Sequence, residues 1–233
     1  MKIILPEKPG DLLRYEIAEG VAAFSTTIDA VLPFPVTQAH QVHSDEIAII
    51  DRPGLAREDL EGIDALMTDR RGIAIGARSA DCVPVLLHDP VHGAVAAVHS
   101  GWKGTVKKIA SKVIGRMHET YGTEPGDLLA VIGPSIGPDS FQIGQEVADA
   151  FCKAGFPMDE ILSDRGDKVQ GTMLGGLHLD LWKANRWILE QAGTSPGNIL
   201  VAGTDSYTDK RFFSARRDGI GCGRTINAIM LIS

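Results

Sequence analysis

A cysteine and a histidine stand at mirrored positions around one short loop of the sequence, and together they could hold a metal ion. Cys82 comes just before one apolar run and His99 ends the next, and the polar loop 89-DPVH-92 is centred between them. If the two runs form a hairpin through this loop, the two residues face each other with Cβ atoms roughly 4.5–5.5 Å apart. At that separation a thiolate and an imidazole can share one zinc ion or form a thiolate–imidazolium pair.

Either of two histidines further upstream could complete such a metal site. His40 and His43 both lie in the loop-like segment 40-HQVHSDE-46. Two histidines and one cysteine leave one position open on a tetrahedral zinc ion, which is typical of catalytic rather than structural zinc sites. The local sequence leaves one alternative open, namely a small buried cysteine that packs beside a core histidine.

The spacing of histidines and cysteines argues against two other classes of metalloenzyme. Zinc base deaminases carry H-x-E followed by P-C-x-x-C, and neither motif occurs here. Blue and multicopper oxidases need closely spaced histidines, whereas the seven histidines of this chain include no H-x-H pair. A cysteine hydrolase stays open, with Cys82 as nucleophile and His99 as its base. Such a dyad does not need His43, whereas a metal site does.

The bulk properties of the chain exclude several further classes of protein. With 233 residues, 44% of them hydrophobic, the chain can bury a sizeable core as one domain over residues 1–233. Its net charge of −7 and pI of about 5.5 argue against a nucleic-acid-binding protein, which would usually carry a basic face. The N-terminus does not read as a signal peptide, and no apolar stretch reaches the roughly 18 residues of a membrane span. Since three cysteines make no disulfide framework, we expect a cytoplasmic protein without a membrane partner.

The elements that must position these residues mix strands and helices without strict alternation. The apolar runs 83–88 and 94–99 are nearly continuous, which predicts strands buried on both faces. Apolar residues at helical spacing predict a helix over 106–121 with Thr105 as its N-cap. Further strands are predicted in LLRYEIA near the N-terminus and at 21–26, 46–51, 64–67, 72–76, 128–133, 199–203 and 225–233, and further helices at 144–155 and 181–192. This mixture favours a single α+β domain.

Longer motifs around the same residues resemble one known family. The runs 80-ADCVPVLLHDP-90 and 94-AVAAVHSGWKGT-105 combine A-D-C-x-P with H-x-G-W-K-G-T. Other matching segments extend over most of the chain from Gln41 on: 41-QVH-43, 63-IDALMTD-69, 132-IGPSIGPDSFQIGQEV-147, 178-HLDLWKAN-185 and 213-FSARRDG-219. Together they are similar to the laccase-domain family of the YfiH type, whose members have been described as polyphenol oxidases and as purine nucleoside phosphorylases.

This resemblance implies a metal site and a fold. The histidine, cysteine and histidine of the family's metal-binding triad fall on His43, Cys82 and His99, which selects His43 over His40. We therefore expect these three residues to be the metal ligands and the catalytic residues. The implied fold is α+β, with mixed β-sheets sandwiched between helical layers (α/β/β/α).

The resemblance also implies an activity. We expect a purine nucleoside phosphorylase that depends on zinc, with copper as the alternative metal, and that acts on adenosine, inosine, guanosine and methylthioadenosine. Adenosine deamination is expected as a side activity, and laccase-like oxidation of polyphenols or peptidoglycan editing are alternatives attached to the same family. A purine nucleoside and inorganic phosphate would be the partners of a monomer or small homo-oligomer.

The sequence departs from the family's pattern without removing a member of the triad. After 26-TT-27 it lacks the usual arginine and paired glycines, which puts a basic contact at the mouth of the site in doubt. Asp139, Ser140 and Ser206 stand where the family often has cysteines.

Phosphorolysis requires a cationic seat for phosphate, and three residues are candidates. Arg216 and Arg217 of 213-FSARRDG-219 offer bidentate donors, and Lys103 offers a point charge. The alternative for the adjacent arginines is a structural ion pair with Asp218 or another acid.

Other candidates for the substrate site flank the triad. The hydroxyls of Ser79 and Thr105 could donate to the substrate, although single residues of this kind are more often caps. Asp81 could accept a hydrogen bond behind the metal ligands or cap the entry to the strand. Trp102 could stack on a purine or pack in the core.

Overall fold

Strands make up most of the regular structure in the described residues, and the α-helices follow from Trp102 on. The computed structural model describes residues 1–167 and 175–232. The strands are β1 (Lys2–Ile4), β2 (Leu12–Glu16), β3 (Val21–Thr26), β4 (Thr37–Gln38), β5 (Glu46–Ile49), β6 (Ile63–Thr68), β7 (Ile75–Ser79), β8 (Val83–Asp89), β9 (Ala94–Ser100), β10 (Leu129–Ile132), β11 (Gln142–Ile143), β12 (Leu162–Asp164), β13 (Leu177–Leu179), β14 (Ile199–Val201) and β15 (Thr225–Leu231). The helices are α1 (Trp102–Val106), α2 (Ile109–Tyr121), α3 (Gln145–Lys153), α4 (Met158–Ile161), α5 (Leu181–Gln191) and α6 (Ala215–Asp218), with short 3-10 helices at Arg57–Leu60, Pro125–Asp127 and Pro196–Asn198.

Two six-stranded sheets pack against each other through one buried cluster. The first sheet has the order β1-β2-β3-β15-β7-β4 and the second the order β14-β10-β8-β9-β6-β5, while β11-β13-β12 form a small third sheet. Leu13, Ile75 and Ile229 of the first sheet meet Leu86 and Val95 of the second. Both large sheets contain parallel and antiparallel pairs, so the predicted α+β class with mixed sheets is confirmed.

The second sheet is covered by helices on its other face. Val113 of α2 and Ile188 of α5 share a cluster with Val85 and Val98. Every residue of β8 and β9 is buried, because alternate side chains face the first sheet and the helices. The expectation of two strands buried on both faces is therefore confirmed. None of the helices in the described ranges combines the length and apolar character needed to cross a membrane.

The helix predicted over 106–121 is divided in the structure. Lys108 adopts a left-handed backbone conformation with φ 57° and separates α1 from α2. Helix α1 begins after Gly101, so the expectation that Thr105 is the N-cap was wrong. Thr105 lies inside α1, and its buried hydroxyl donates to the carbonyl oxygen of Gly101 over 3.0 Å and accepts from the amide of Asn185 over 3.1 Å.

The hairpin of β8 and β9 forms, but its register differs from the predicted one. His99 pairs with Pro84, and the last pair before the turn is Asp89 with Ala94. Direct opposition of Cys82 and His99 is therefore wrong, since the turn begins one residue later than expected. The turn itself explains this register. The Asp89 carboxylate accepts hydrogen bonds from the backbone N–H groups of Val91 and His92 at 2.9 and 3.0 Å, so Asp89 is the last paired residue.

Candidate metal centre and its cavity

Cys82, His43 and His99 converge although they come from three separate segments. Their ligand atoms all lie within 4.8 Å of one another, and this is the only such group of His, Cys, Asp and Glu in the described part of the chain. The Cys82 Sγ atom is 3.7 Å from Nε2 of His43. Two ligand atoms on one tetrahedral zinc ion would be roughly 3.6 Å apart, given Zn–S and Zn–N lengths of about 2.3 and 2.0 Å. The donor set and its spacing thus fit a single borderline-soft metal ion with a position left open.

The register of the hairpin explains how Cys82 reaches the two histidines. If the pairing continued, Cys82 would lie opposite Gly101, two residues beyond His99. Gly101 carries no side chain, and a Cβ atom there would be 2.8 Å from Cys82 Sγ and 3.1 Å from Cδ2 of His43. The thiol therefore occupies the space that a side chain at position 101 would fill, and it approaches His99 diagonally.

Two of the turns that present the ligands have a left-handed backbone at residues other than glycine. His43 itself has φ 63°, and Asp81, which directly precedes Cys82, has φ 84°. Such conformations are costly for residues with a Cβ atom and persist where neighbouring contacts hold them. The Asp81 carboxylate accepts from the Ser206 hydroxyl and from the backbone N–H of Arg216, each at 2.7 Å. Asp81 thus anchors the turn that carries Cys82.

Asp64 holds both histidines of the cluster in place. Its Oδ1 atom accepts from Nδ1 of His99 at 2.6 Å and from the backbone N–H of His43 at 3.1 Å. Its Oδ2 atom accepts from the backbone N–H groups of Val42 and Ser44 at 3.0 and 2.8 Å. Burial alone would raise the pKa of Asp64, but these hydrogen bonds and the charge of His99 lower it to about 2. The carboxylate therefore stays ionised and directs Nε2 of His99 toward the cluster.

Cys82 and His99 stabilise each other's charged forms in the absence of a metal. Burial would raise the pKa of Cys82, but the imidazoles of His99 and His43 lower it to about 6. Burial would lower the pKa of His99, whereas the thiolate of Cys82 and the carboxylate of Asp64 raise it to about 9. At neutral pH the cysteine is thus a thiolate, which is the form that binds metal ions and the form that attacks substrates.

A cavity of about 370 Å³ opens beside the cluster and is large enough for a small ligand. His43, Cys82 and His99 line it together with Ser79, whose predicted place at the mouth of the site agrees with this lining. The wall also contains Cys222 and three arginines that the sequence analysis did not single out: Arg57, Arg78 and Arg224.

The other predicted substrate residues lie outside the lining of this cavity. Trp102 packs against the helix-covered core, and the Lys103 ammonium lies 5.7 Å from the centre of the Trp102 ring. Arg216 donates from Nη1 to the carbonyl oxygen of Gln142 at 3.0 Å and lies over the Phe141 ring.

The guanidinium of Arg217 is used within the protein. Nε and Nη2 bind the carboxylate of Asp218 at 2.9 and 2.7 Å. The remaining N–H groups donate to the carbonyl oxygens of Ser206, Tyr207 and Phe212 over 2.7–2.9 Å. Arg217 therefore forms the structural ion pair that was the alternative to phosphate binding.

Sequence reasoning missed Asp64 as well as the three arginines. A signal for Asp64 existed, since it is a lone acid among the apolar residues of β6 and is 2% exposed. The arginines gave no such signal, because they are dispersed along the chain and only the folded structure brings them to one cavity.

The chain is similar to proteins of one known family. Residues 16–232 match the family described as multi-copper polyphenol oxidoreductase laccase. The chain is 43% identical over 176 residues to a purine nucleoside phosphorylase from Bacteroides thetaiotaomicron, covering 75% of this chain and 63% of that protein. It is 40% identical over 208 residues to an adenosine deaminase from an unknown prokaryotic organism, covering 86% of this chain and 74% of that protein.

A solved structure shows the same fold. The protein YfiH of Bacillus licheniformis superimposes with a TM-score of 0.83 at 28% sequence identity, and the match covers 97% of each chain. The match with this chain covers 63% of the length of the Bacteroides relative. It covers 97% of the length of the structural neighbour. With a match that begins at residue 16 and runs to residue 232, the chain belongs to the multi-copper polyphenol oxidoreductase laccase family.

Proposed function

We propose that this chain is a metal-dependent purine nucleoside phosphorylase, with zinc as the metal and copper as the alternative. The observation that carries the proposal is the His43, Cys82 and His99 cluster, which fits one metal ion with an open position and lines a ligand-sized cavity. A relative named purine nucleoside phosphorylase is 43% identical and supports the reaction type. Adenosine, inosine, guanosine and methylthioadenosine are the proposed substrates.

The reaction exchanges one bond at the ribose. The bond between C1′ and the purine nitrogen breaks with its electron pair on the base, and a phosphate oxygen forms a new bond to C1′. Protonation of the departing nitrogen then gives the free base and ribose 1-phosphate. A metal held by His43, Cys82 and His99 would supply Lewis-acid polarisation of a substrate oxygen.

The residues of the chain orient this chemistry. Asp64 accepts the Nδ1 proton of His99, so that Nε2 is the ring atom that would give up its proton to a metal. Cys82 contributes a thiolate, whose charge is held by the two imidazoles. Since His99 is 4% exposed, its ring also keeps bulk water from one side of the cluster.

Adenosine deamination is the second activity we propose, and it would use the same cluster. A relative named adenosine deaminase is 40% identical over most of this chain and favours it. A cysteine hydrolase is the competing possibility, because the lowered pKa of Cys82 suits a nucleophile as well as a ligand. Removal of the metal separates the two, since a cysteine hydrolase keeps its activity after chelation, whereas His43 supports the thiolate of Cys82 in either case.

The test measures metal content and products together. The purified protein is analysed for zinc and copper and is then incubated with inosine and phosphate. We expect hypoxanthine and ribose 1-phosphate from the wild type, and loss of both products in His43→Ala and Cys82→Ala. Cys152→Ala is the matched control, because Cys152 is an exposed free cysteine outside the cavity lining. Full activity after verified removal of the metal would refute the proposal.

A further inference from the structure

Three arginines reach the same cavity from three different parts of the fold. Arg57 begins the 3-10 helix between β5 and β6, Arg78 lies on β7, and Arg224 directly precedes β15. All three line the cavity that the metal cluster also lines. The three arginines lie on regular elements or directly beside them. The fold, rather than a flexible loop, therefore places them at this cavity.

In the described part of the chain, the three cavity arginines form no ion pair with an acidic side chain, in contrast to six other arginines. Arg70, Arg116, Arg165, Arg186, Arg211 and Arg217 each pair with a carboxylate. Within residues 1–167 and 175–232, no ion pair involves any of the three cavity arginines. Three cations that line one cavity without a carboxylate partner attract an anion to it.

The mutual proximity of the three cations has an electrostatic effect. The pKa of Arg78 is lowered, first by burial and then by the positive charges of Arg57 and Arg224. Like charges at close range repel one another, so an anion that binds between them gains from all three.

The hydrogen-bond donors of these residues are only partly used inside the protein. The Nε atom of Arg57 is buried and has no hydrogen-bond partner among the residues that the structure describes. Arg78 donates from Nη1 to Oε1 of Gln38 at a long 3.3 Å. Arg224 donates from Nη1 to the carbonyl oxygens of Cys222 and Gly223 and from Nη2 to that of Ile220, which leaves Nε and one N–H of Nη2 for a ligand. A buried N–H without an acceptor is rare in native structures and points to a ligand that supplies one.

We propose that Arg57, Arg78 and Arg224 form the seat of a tetrahedral oxyanion, the phosphate that attacks the nucleoside. This inference rests on the proposed phosphorylase function and assigns phosphate to these residues rather than to Arg216, Arg217 or Lys103. Planar guanidinium groups bind phosphate oxygens through paired N–H donors, which suits three arginines around one anion. The seat lies in the wall of the metal cavity, so phosphate and the metal-bound part of the nucleoside share one enclosure.

The test compares cavity arginines with a surface arginine. Arg78→Gln and Arg57→Gln remove a donor from the seat, and Arg78→Lys keeps the charge without the planar fork. Arg116→Gln is the control, because Arg116 lies on α2 and pairs with exposed Glu119. Initial rates are measured with inosine while phosphate is varied, and metal content and thermal unfolding are recorded for each variant.

We expect the KM for phosphate to rise about tenfold or more in both Gln variants, with metal content and the KM for inosine unchanged. Arg78→Lys should fall between Arg78→Gln and the wild type. An active wild type whose phosphate KM is the same in Arg78→Gln and Arg57→Gln would overturn the seat and leave the phosphorylase proposal standing.

Direct binding separates a failure of the seat from a failure of the function. Inorganic phosphate and adenosine 5′-monophosphate are each titrated calorimetrically into the metal-loaded protein. Phosphate binding that is lost in Arg78→Gln supports the seat even if the wild type shows no phosphorolysis. Binding of the nucleotide without any binding of inorganic phosphate would overturn the assignment to free phosphate in favour of a phosphate ester.

Discussion

Asp64 is the residue on which the geometry of the metal cluster depends most. Its two carboxylate oxygens accept from the ring of His99 and from the backbone on both sides of His43. The buried side chain of Asp64 thus fixes the tautomer of His99 and also holds the strained loop that carries His43. Residues behind metal ligands that act in this way change metal affinity without contacting the metal.

Replacement of Asp64 by Asn should weaken metal binding. The amide nitrogen cannot accept, so either the Oδ1 contacts to His99 and His43 or the Oδ2 contacts to Val42 and Ser44 are lost, and the negative charge beside His99 is removed. We expect metal affinity to fall about 10–100-fold, with activity largely restored at saturating metal. Competition with a chelator of known affinity measures this change, and Asp69→Asn, at an exposed position just after β6, is the control. Unchanged affinity in Asp64→Asn would show that the carboxylate is structural only.

At the scale of elements, the junction of β9 and α1 creates the space for the metal cluster. Gly101 separates the last residue of β9 from the first residue of α1 and adopts an extended backbone with φ −61°. Any L-residue can adopt this conformation, so the backbone does not require glycine. The requirement comes from the neighbours, since Cys82 and His43 occupy the place of a Cβ atom.

Gly101→Ala should therefore impair the metal site more than the fold. The added Cβ atom would lie 2.8 Å from Cys82 Sγ, which real Cβ atoms do not tolerate, so the thiol must move away from the histidines. We expect metal content after purification to drop severalfold while far-UV circular dichroism stays the same. Gly115→Ala is a matched control on α2, where nothing lies within 4 Å of the added atom and stability should rise by about 0.5–1 kcal/mol. Wild-type metal content in Gly101→Ala would contradict the predicted crowding.

At the scale of the whole molecule, the cluster lies where the chain passes between the two large sheets. His43 is in the connection from β4 of the first sheet to β5 of the second, and Cys82 is in the connection from β7 to β8. His99 belongs to β9 of the second sheet. A metal ion held by all three would link both crossover connections to the second sheet and so tie the sheets together.

Removal of the metal should consequently lower the melting temperature of the whole domain. A metal present at about 100 times its dissociation constant adds about 2.7 kcal/mol, which corresponds to roughly 5–10 °C for a chain of this size. Calorimetry before and after chelation measures the shift, and His43→Ala should show little response to the chelator. A wild-type melting temperature that is independent of bound metal would contradict this role.

The sequence by itself determined the class of the fold and predicted a metal cluster. Cys82 and His99 with His40 or His43 predict a metal site, the family resemblance selects His43, and the continuous apolar runs indicate strands buried on both faces. These properties are local or repeat along one segment, so spacing along the chain reports them.

The tertiary structure decided the register of the hairpin and the composition of the cavity. The capping of the turn by Asp89 moved the pairing of His99 to Pro84, a shift that a centred loop does not predict. Arg57, Arg78 and Arg224 are separated by many residues and meet only because two sheets and a 3-10 helix pack around one cavity. Spacing along a chain does not show which distant side chains line the same cavity, because the packing of helices and strands brings them together.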